Sequence, residues 1–281
     1  MEHISANGAE FEVEEAGAGE PLLLIHGGVI GDAYKPLLSE SSLTSRYRVI
    51  QYHRRGFCGS SRPPRPFTIP EQAQDALAIL RRVCGESAHV AGHSLGGVIG
   101  IQLALDAPEA VHSLALFEPA WFPGPAGQAF AKGAGPIIDL YRGGDAEGAV
   151  SAFTSAVLET DDWREQADRT LPAGWYEQAI ADADTLFEVE FPALAEWDFT
   201  AEMAARIKQP LLAVLGGSLR ARRRGPLFSE GHDLLKEWIP QAEPFILPDA
   251  THGLEYQNPR GAAEGLAAFL ARHPMPIKAT A

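Results

Sequence analysis

The chain has 281 residues, of which 46% are hydrophobic and 21% charged, enough to bury a substantial core in one large domain or in one domain with an insertion. Acidic side chains outnumber basic ones by 37 to 23, and the formal net charge is −14. This balance argues against nucleic acid or an anionic membrane as a partner, because either would need a basic face on the protein.

Strands alternate with helices along most of the chain, as a parallel sheet requires. Short apolar runs bounded by turn residues predict strands at 10–14, 22–25, 48–52, 87–91, 111–117, 211–215 and 243–247. Apolar residues at helical spacing predict helices at 72–83, 95–105, 226–238 and 260–272. The expected fold class is therefore α/β, with a mostly parallel twisted sheet flanked by helices.

The alternation of strands and helices breaks between residues 119 and 207. Glycine and proline residues at 123–125 and 133–135 interrupt the chain first. Helical patterns then follow at 136–141, 147–158, 174–186 and 200–207. The sequence therefore predicts a helical insertion between the strands at 111–117 and 211–215.

Residues 92–97 read Gly-His-Ser-Leu-Gly-Gly, directly after a short apolar strand and at the start of a helical pattern. In a strand–turn–helix of the pattern G-x-S-x-G, Gly92 and Gly96 are small because the turn is strained and tightly packed, and the hydroxyl of Ser94 is exposed above the sheet. The following helix directs free N–H groups at the same spot. A nucleophilic serine is one interpretation, and a helix-capping serine is the other.

Two further loops follow apolar strands. His26, Gly27 and Gly28 come directly after the run at 21–25, at the position expected of an oxyanion-hole loop. A backbone N–H near Gly28 would join that of Leu95 to hold a developing negative oxygen. Far downstream, His252 lies in the loop after the apolar run at 244–247, at the carboxyl end of a late strand.

With the serine first and the histidine last, the chain resembles the α/β-hydrolase superfamily from about residue 11 to residue 269. The resemblance implies that Ser94 is the nucleophile, that His252 is its general base, and that the N–H groups of Gly28 and Leu95 form the oxyanion hole. It also implies that the helical insertion is a cap over the site. We therefore divide the chain into an α/β-hydrolase core domain of residues 1–120 and 208–281 and a helical cap, or lid, of residues 121–207.

The acid of the expected triad is not at its usual place in this superfamily, the loop after the strand at 211–215. The first carboxylates beyond that strand, Glu230 and Asp233, fall inside the following helix. The strand at 111–117 ends instead in Glu118, 24 residues after Ser94, and a carboxylate that ends an apolar strand needs a partner. Some haloalkane dehalogenases and the zearalenone lactonases, which the chain resembles here, take their acid from this strand. We assign Glu118, with Asp233, Asp249 and a purely structural role of Glu118 as the alternatives.

Two charged segments flank the expected site. The arginine cluster from Arg220 to Arg224 occupies the usual acid loop. It is interpreted as a solvated turn, as a contact with the acidic cap, or as an interface with another subunit, which would make the protein a homodimer. Residues 159–202 contain thirteen acidic and two basic side chains, so a cap of this composition should repel anionic substrates.

Apolar side chains near these motifs are candidates for the wall of a substrate pocket. Aromatic residues of the insertion belong either to the core of the cap or to this wall. We expect substrate contacts from Val29, His93, Trp121, Phe122, Trp175, Tyr176 and Phe187. The loop at 53–63 is interpreted as a structural loop with solvated arginines, or as a segment from which His53 and Phe57 line the pocket.

The location and redox state of the chain follow from simpler signals. Cys58 and Cys84 are too few for a disulfide framework and lack metal-ligand spacing, so we expect reduced thiols and no metal site. No run approaches the roughly 18 apolar residues of a membrane helix. The N-terminus has neither the basic start nor the apolar segment of a signal peptide, and we expect a cytoplasmic protein.

The residues together predict acyl transfer to water: hydrolysis of a carboxylic ester or lactone of a neutral, hydrophobic small molecule, with no metal or organic cofactor. A zearalenone-type macrolactone is one named candidate. A serine at the turn argues against dehalogenase and epoxide-hydrolase activity, because both depend on an aspartate nucleophile. Hydrolysis of carbon–carbon bonds, cofactor-free haloperoxidase activity and a slow-turnover ligand receptor on the same fold are the alternatives.

Overall fold

The structure is a computed structural model that describes residues 1–63, 67–158, 160, 162–218 and 227–276. The described residues form one sheet of eight strands: β1 (Glu2–Ala6), β2 (Ala9–Ala16), β3 (Glu20–Ile25), β4 (Tyr47–Tyr52), β5 (Ala88–His93), β6 (Val111–Phe117), β7 (Leu211–Gly216) and β8 (Ala242–Leu247). Their order across the sheet is β1-β2-β4-β3-β5-β6-β7-β8. Strands β3 to β8 are parallel, and β1 and β2 pair antiparallel at one edge. The predicted fold class, α/β with a mostly parallel sheet, is confirmed.

Helices flank the sheet and fill the segment between β6 and β7. In chain order they are α1 (Ser41–Thr44), α2 (Ile69–Ile79), α3 (Leu95–Asp106), α4 (Pro125–Gly133), α5 (Gly135–Arg142), α6 (Ala146–Leu158), α7 (Trp163–Asp168), α8 (Trp175–Ala181), α9 (Phe191–Glu196), α10 (Ala201–Ala204), α11 (Leu227–Trp238), α12 (Leu254–Gln257) and α13 (Pro259–Arg272). A 3₁₀ turn covers Lys35–Ser39, and π-helical turns cover Leu80–Cys84 and Thr185–Glu190. Over the described ranges, no helix has the length and apolar content needed to cross a membrane.

The core lies on both faces of the sheet, because successive side chains of a strand point to opposite sides. On one face, Leu23 and Val90 pack with apolar residues of α2 and α3. On the other face, Leu24 and Ala91 pack with apolar residues of α1 and α13. All six residues of β5 are buried, as expected of a parallel strand covered on both sides.

The structure adds elements that the hydrophobic pattern did not predict. Strand β1 carries little apolar surface and is mostly exposed, and it pairs with β2 through a turn in which Asn7 and Gly8 have φ of 44° and 72°. Helix α2 begins at Ile69, earlier than predicted, because Thr68 and Glu71 form a reciprocal capping box. In the insertion, α4, α7 and α9 are additional helices, and the predicted helix at 174–186 is divided into α8 and the π-helical turn.

Candidate active site

A sharp turn between β5 and α3 holds Ser94 in a backbone conformation that side-chain-bearing residues rarely adopt, with φ of 52°. The flanking glycines make this turn sterically feasible. A Cβ at Gly92 would lie 2.3 Å from the carbonyl oxygen of Gly96, and one at Gly96 would lie 2.0 Å from that of Ile25. The Ser94 N–H donates to the Phe117 carbonyl at 3.0 Å, which ties the strained turn to β6.

Three side chains from distant parts of the chain form a continuous hydrogen-bonded row. The Ser94 hydroxyl lies 3.0 Å from Nε2 of His252, and Nδ1 of His252 lies 2.7 Å from Oε2 of Glu118. The other oxygen of Glu118 accepts the Gly216 N–H at 2.7 Å. His252 and Glu118 are 6% and 4% exposed, so the row is shielded from bulk water. The predicted serine, histidine and acid are therefore brought together in this structure.

Glu118 directly follows β6, where its φ of 43° turns the chain, and its N–H donates to the Val214 carbonyl of β7 at 3.2 Å. The two alternative acids are placed differently. Asp233 is exposed and pairs with Lys236 at 2.8 Å, and Asp249 is exposed in the loop after β8. The position at His252 Nδ1 is thus occupied by the carboxylate from the end of β6.

Burial shifts the ionisation of both partners in this row toward their neutral forms. It raises the pKa of the Glu118 carboxyl to about 7, against the opposing effect of the Gly216 N–H. It also lowers the pKa of His252 well below its ordinary value, and the charge of His93 acts in the same direction. A neutral imidazole next to a serine hydroxyl is the state that a general base requires.

A second buried pair lies behind His252. Nδ1 of His93 is 2.8 Å from Oε1 of Glu255, and Nε2 of His93 is 2.8 Å from the backbone carbonyl oxygen of His252. Burial alone would lower the pKa of His93, but the Glu255 carboxylate, together with Glu118 and the His252 carbonyl, raises this pKa above its ordinary value. Both ring nitrogens face acceptors, so the protonated imidazole of His93 suits the site and fixes the backbone at His252.

The loop after β3 is held by Arg54, which is 3% exposed. Its Nε donates to the His26 carbonyl at 3.0 Å and its Nη2 to the Gly27 carbonyl at 2.8 Å. Because the peptide bond is trans, the Gly28 N–H points away from the Gly27 carbonyl and hence away from Arg54. Leu95 is the first residue of α3, so its N–H has no acceptor within the helix. Gly28 and Leu95 both border the cavity described next.

A cavity of about 680 Å³ lies over Ser94 and His252, between the sheet and the insertion helices. Its wall is mostly apolar and contains Val29, Ile30, Ala33, Trp121, Phe122, Phe130, Phe153, Val157, Leu186, Phe191, Leu194 and Phe228. Of the residues expected to contact substrate, Val29, His93, Trp121 and Phe122 line it.

Three other expected contacts, Trp175, Tyr176 and Phe187, are absent from the cavity wall. They are buried in an apolar cluster of the insertion, where Trp163 packs on Trp175 and Tyr176 at centroid distances of 6.1 and 5.8 Å. Phe187 stacks on Tyr141 at 4.7 Å. These rings pack within the helical insertion, and the structure does not bring them to the wall of this cavity.

The loop at 53–63 packs against the loop that follows β3. Phe57 packs edge-on against His26 at 4.8 Å and lies under the Arg54 guanidinium at 4.7 Å. His53 and Phe57 do not line the cavity. The structural interpretation of this loop is favoured, with one correction: Arg54 is buried against backbone carbonyls and is not solvated.

Two residues next to the hydrogen-bonded row of Ser94, His252 and Glu118 have no clear signal in the sequence. Phe228 stacks on the His252 ring at a centroid distance of 3.9 Å and an interplanar angle of 12°. Glu190 is fully buried and lines the cavity, although it belongs to an acidic segment whose other members are mostly exposed. The only signal for Glu190 is its position between Val189 and Phe191 in an otherwise amphipathic stretch. The arginine cluster at 220–224 lies outside the described residues.

One group within the described part of the chain has the donor types of a metal site. The ligand atoms of Asp32, His53 and Cys58 lie within 4.8 Å of one another. Hydrogen bonds engage both nitrogens of His53, to Glu12 Oε2 and to Asp32 Oδ1, each at 2.8 Å. Burial raises the pKa of the Cys58 thiol, which keeps it protonated at neutral pH, whereas a metal ligand has to be a thiolate. The contacts fit a hydrogen-bonded cluster that stabilises the loop.

Comparison with known proteins identifies the family. Residues 20–259 match the family model described as alpha/beta hydrolase fold. The protein named "Putative carbamate hydrolase RutD" of Azorhizobium caulinodans is 40% identical over 118 residues, which make up 41% of this chain and 43% of that protein. The "Uncharacterized hydrolase YraK" of Bacillus subtilis is 34% identical over 118 residues, 41% of this chain and 43% of that protein. The chain thus spans about two fifths of the length of the curated relatives it matches.

The structural neighbours extend over almost the whole chain. The enol-lactonase from Burkholderia xenovorans superposes with a TM-score of 0.79 at 21% identity, covering 96% of this chain and all of that one (100%). A thermophilic esterase from Thermogutta terrifontis gives a TM-score of 0.75 at 19% identity, covering 98% and 100%. At these identities the likeness shows the fold. Since the family model covers residues 20–259, most of the chain, the chain belongs to the alpha/beta hydrolase fold family.

Proposed function

We propose that the protein is a serine hydrolase that cleaves a carboxylic ester or lactone of a neutral, hydrophobic small molecule. The observation that carries this proposal is the row Ser94–His252–Glu118, with contacts of 3.0 and 2.7 Å. A nucleophile, a base and an orienting carboxylate in this geometry are the parts of covalent acyl transfer. The names of similar structures, a lactonase and an esterase, agree with this class of reaction.

In the proposed mechanism, Ser94 attacks the carbonyl carbon while Nε2 of His252 takes the hydroxyl proton. Glu118 keeps the Nδ1 proton of His252 in place and stabilises the imidazolium that forms. The N–H groups of Gly28 and Leu95 hold the oxyanion of the tetrahedral intermediate. The imidazolium then protonates the leaving alkoxide, and water hydrolyses the acyl-enzyme by the same steps in reverse.

The cavity supports the proposed substrate class. It is large enough for a drug-sized molecule, and aromatic side chains from the insertion and from α11 form much of its wall. We propose that residues 121–207 act as a cap that excludes water from the acyl-enzyme. The same cavity would accept a macrolactone of the zearalenone type.

Turnover of a panel of para-nitrophenyl esters and of aliphatic and macrocyclic lactones tests the proposal. We expect hundreds of turnovers per protein molecule with neutral acyl groups, and a loss of about 10⁴ to 10⁶ in kcat for Ser94→Ala. Ser45→Ala, at an exposed serine, is the matched control and should behave as the wild type. A protein that stops after a few turnovers is a receptor, and one that cleaves only carbon–carbon bonds is a different hydrolase; either result rejects the proposal.

Substrate charge provides a second test. Residues 159–202 carry thirteen acidic and two basic side chains, which give the proposed cap a negative potential. We expect neutral esters to have a higher kcat/KM than dianionic esters of the same size, and the difference to shrink as salt is added. If a dicarboxylate ester is the best substrate of a matched series, the acidic insertion does not steer substrates in this way.

A further inference from the structure

Glu190 is a buried carboxylate on the wall of the cavity that the proposed mechanism does not use. It ends the π-helical turn Thr185–Glu190 and is 0% exposed. Its Oε2 faces the oxyanion loop closely enough that a Cβ on Gly28 would lie 2.9 Å from it. A carboxylate oxygen therefore lies next to the place where the substrate carbonyl is expected.

The two oxygens of Glu190 have different surroundings. Nη1 of Arg54 lies 2.5 Å from Oε1, which gives the carboxylate a countercharge. Arg54 also donates from Nε to the His26 carbonyl, from Nη2 to the Gly27 carbonyl and from Nη1 to Gln72 Oε1. Within the described ranges, neither oxygen of Glu190 has a hydrogen-bond partner, although Oε1 is paired with Arg54. The ion pair with Arg54 thus involves Oε1, and Oε2 is a buried acceptor without a hydrogen-bond donor.

A buried acceptor without a donor is unfavourable, and the cost is recovered when a ligand supplies the donor. The apolar cavity wall offers little competition for such a donor. Burial raises the pKa of Glu190, whereas the charge of Arg54 opposes this shift and favours the ionised acceptor.

We propose that Glu190 determines specificity by accepting a hydrogen bond at Oε2 from a hydroxyl or N–H group of the substrate, located within a few bonds of the scissile carbonyl. This inference rests on the proposed function, because the carbonyl is placed by Gly28 and Ser94. The preferred substrates are then esters or lactones that carry a donor beside the carbonyl. A second anionic group at this position would be repelled by the carboxylate.

The test uses the ethyl esters of two acids, 2-hydroxy-3-phenylpropanoic acid and 3-hydroxy-3-phenylpropanoic acid. Each is compared with the ester in which a methoxy group replaces the hydroxyl. The methoxy group has a similar electron-withdrawing effect but cannot donate a hydrogen bond. We expect the wild type to prefer the better hydroxy ester over its methoxy counterpart by about tenfold or more in kcat/KM, the range of a hydrogen bond to a charged group. In Glu190→Gln this preference should fall by about tenfold.

Glu188→Gln is the matched control, because it removes a charge from the same turn at an exposed position and keeps the acceptor for Tyr141. It should retain the wild-type preference. If Glu190→Gln slows both esters equally, Glu190 is only a countercharge for Arg54 and the inference is wrong. Should this variant fail to fold, Glu190→Asp retains the charge beside Arg54 but withdraws the oxygen, and it must also lose the preference.

Binding to Ser94→Ala separates this inference from the proposed function. Calorimetry of the hydroxy and methoxy esters with this variant, with and without Glu190→Gln, measures the preference without any turnover. If the wild type hydrolyses the methoxy and hydroxy esters at equal rates, the Glu190 inference is rejected and the proposed function is not. Absence of hydrolysis of every ester rejects the proposed function, and the affinity ratio then decides the role of Glu190.

Discussion

Replacing Glu118 by glutamine tests the least usual residue of the proposed triad. In the structure Oε1 of Glu118 accepts the Gly216 N–H at 2.7 Å and Oε2 faces Nδ1 of His252 at 2.7 Å. A glutamine side chain has one acceptor for these two positions. If the amide oxygen of the glutamine faces the Gly216 N–H, its NH₂ group faces Nδ1 of His252. Nδ1 must then be unprotonated, so the imidazole proton moves to Nε2. A protonated Nε2 cannot accept the proton of the Ser94 hydroxyl.

The two orientations of the glutamine amide bracket the expected loss in kcat. Stabilisation of the wrong tautomer costs about 10⁴, as for the removal of charge from a triad carboxylate. The reverse orientation keeps the correct tautomer of His252 but sets the glutamine NH₂ against the Gly216 N–H, so that two donors face each other. It also lacks the charge that stabilises the imidazolium. We expect this orientation to lower kcat by about 10². The range corresponds to about 3 to 5 kcal/mol of transition-state stabilisation.

The pH dependence of the same variant supplies an independent readout. The active form needs an ionised Glu118 and a neutral His252. Because burial raises the pKa of Glu118 to about 7 and lowers that of His252, protonation of Glu118 comes first as the pH falls. Wild-type kcat/KM should therefore decline below pH about 7. In Glu118→Gln this limb should be absent, and the decline should begin at lower pH.

The assay is steady-state hydrolysis of a neutral para-nitrophenyl ester between pH 5 and 9, with thermal melting to verify folding. Asp233→Asn and Asp249→Asn are the controls, since both aspartates are exposed, and each should keep the wild-type rate. A folded Glu118→Gln that loses less than tenfold in kcat, or an equal loss in one of the controls, would refute the assignment of the acid.

Two further substitutions test how the site is supported. Glu255→Gln leaves the buried His93 without its countercharge and should cost about 3 kcal/mol of stability, or about 6 to 12 °C in Tm. The control Glu264→Gln, at an exposed position, should have the Tm of the wild type. Equal Tm values for the two variants would mean that the pair is not ionised. Gly96→Ala places a Cβ 2.0 Å from the Ile25 carbonyl oxygen and should lose about 3 kcal/mol of stability and most of the activity. A variant with the Tm and rate of the wild type would contradict this steric argument.

The hydrophobic pattern predicted most of the sheet because β3 to β7 are buried apolar strands. β6 was predicted with its observed bounds, Val111–Phe117. The pattern missed β1, whose residues are largely exposed and whose only signal is the Asn7-Gly8 turn. It also merged α8 with the following π-helical turn, because periodicity does not record where backbone hydrogen bonds change register.

The candidate site was likewise predicted only in part. The predicted meeting of Ser94, His252 and Glu118 followed from motifs at the carboxyl ends of strands and from the resemblance to the α/β-hydrolase superfamily, which assigns roles to these positions. Cavity contacts depend on the packing of the insertion helices, so Trp175 and Tyr176 were expected at the substrate but lie in a buried aromatic cluster. Glu190 was missed because its burial depends on a tertiary contact with Arg54, 136 positions earlier in the chain.

The most direct test of the central claim is the site of covalent attachment during turnover. The protein is mixed with excess para-nitrophenyl ester, quenched in acid within milliseconds to seconds, and its peptides are mapped by mass spectrometry. We predict one adduct with the mass of the acyl group, on Ser94, and no adduct in Ser94→Ala. Acylation of a different residue, or continued turnover by Ser94→Ala near the wild-type rate, would contradict the account.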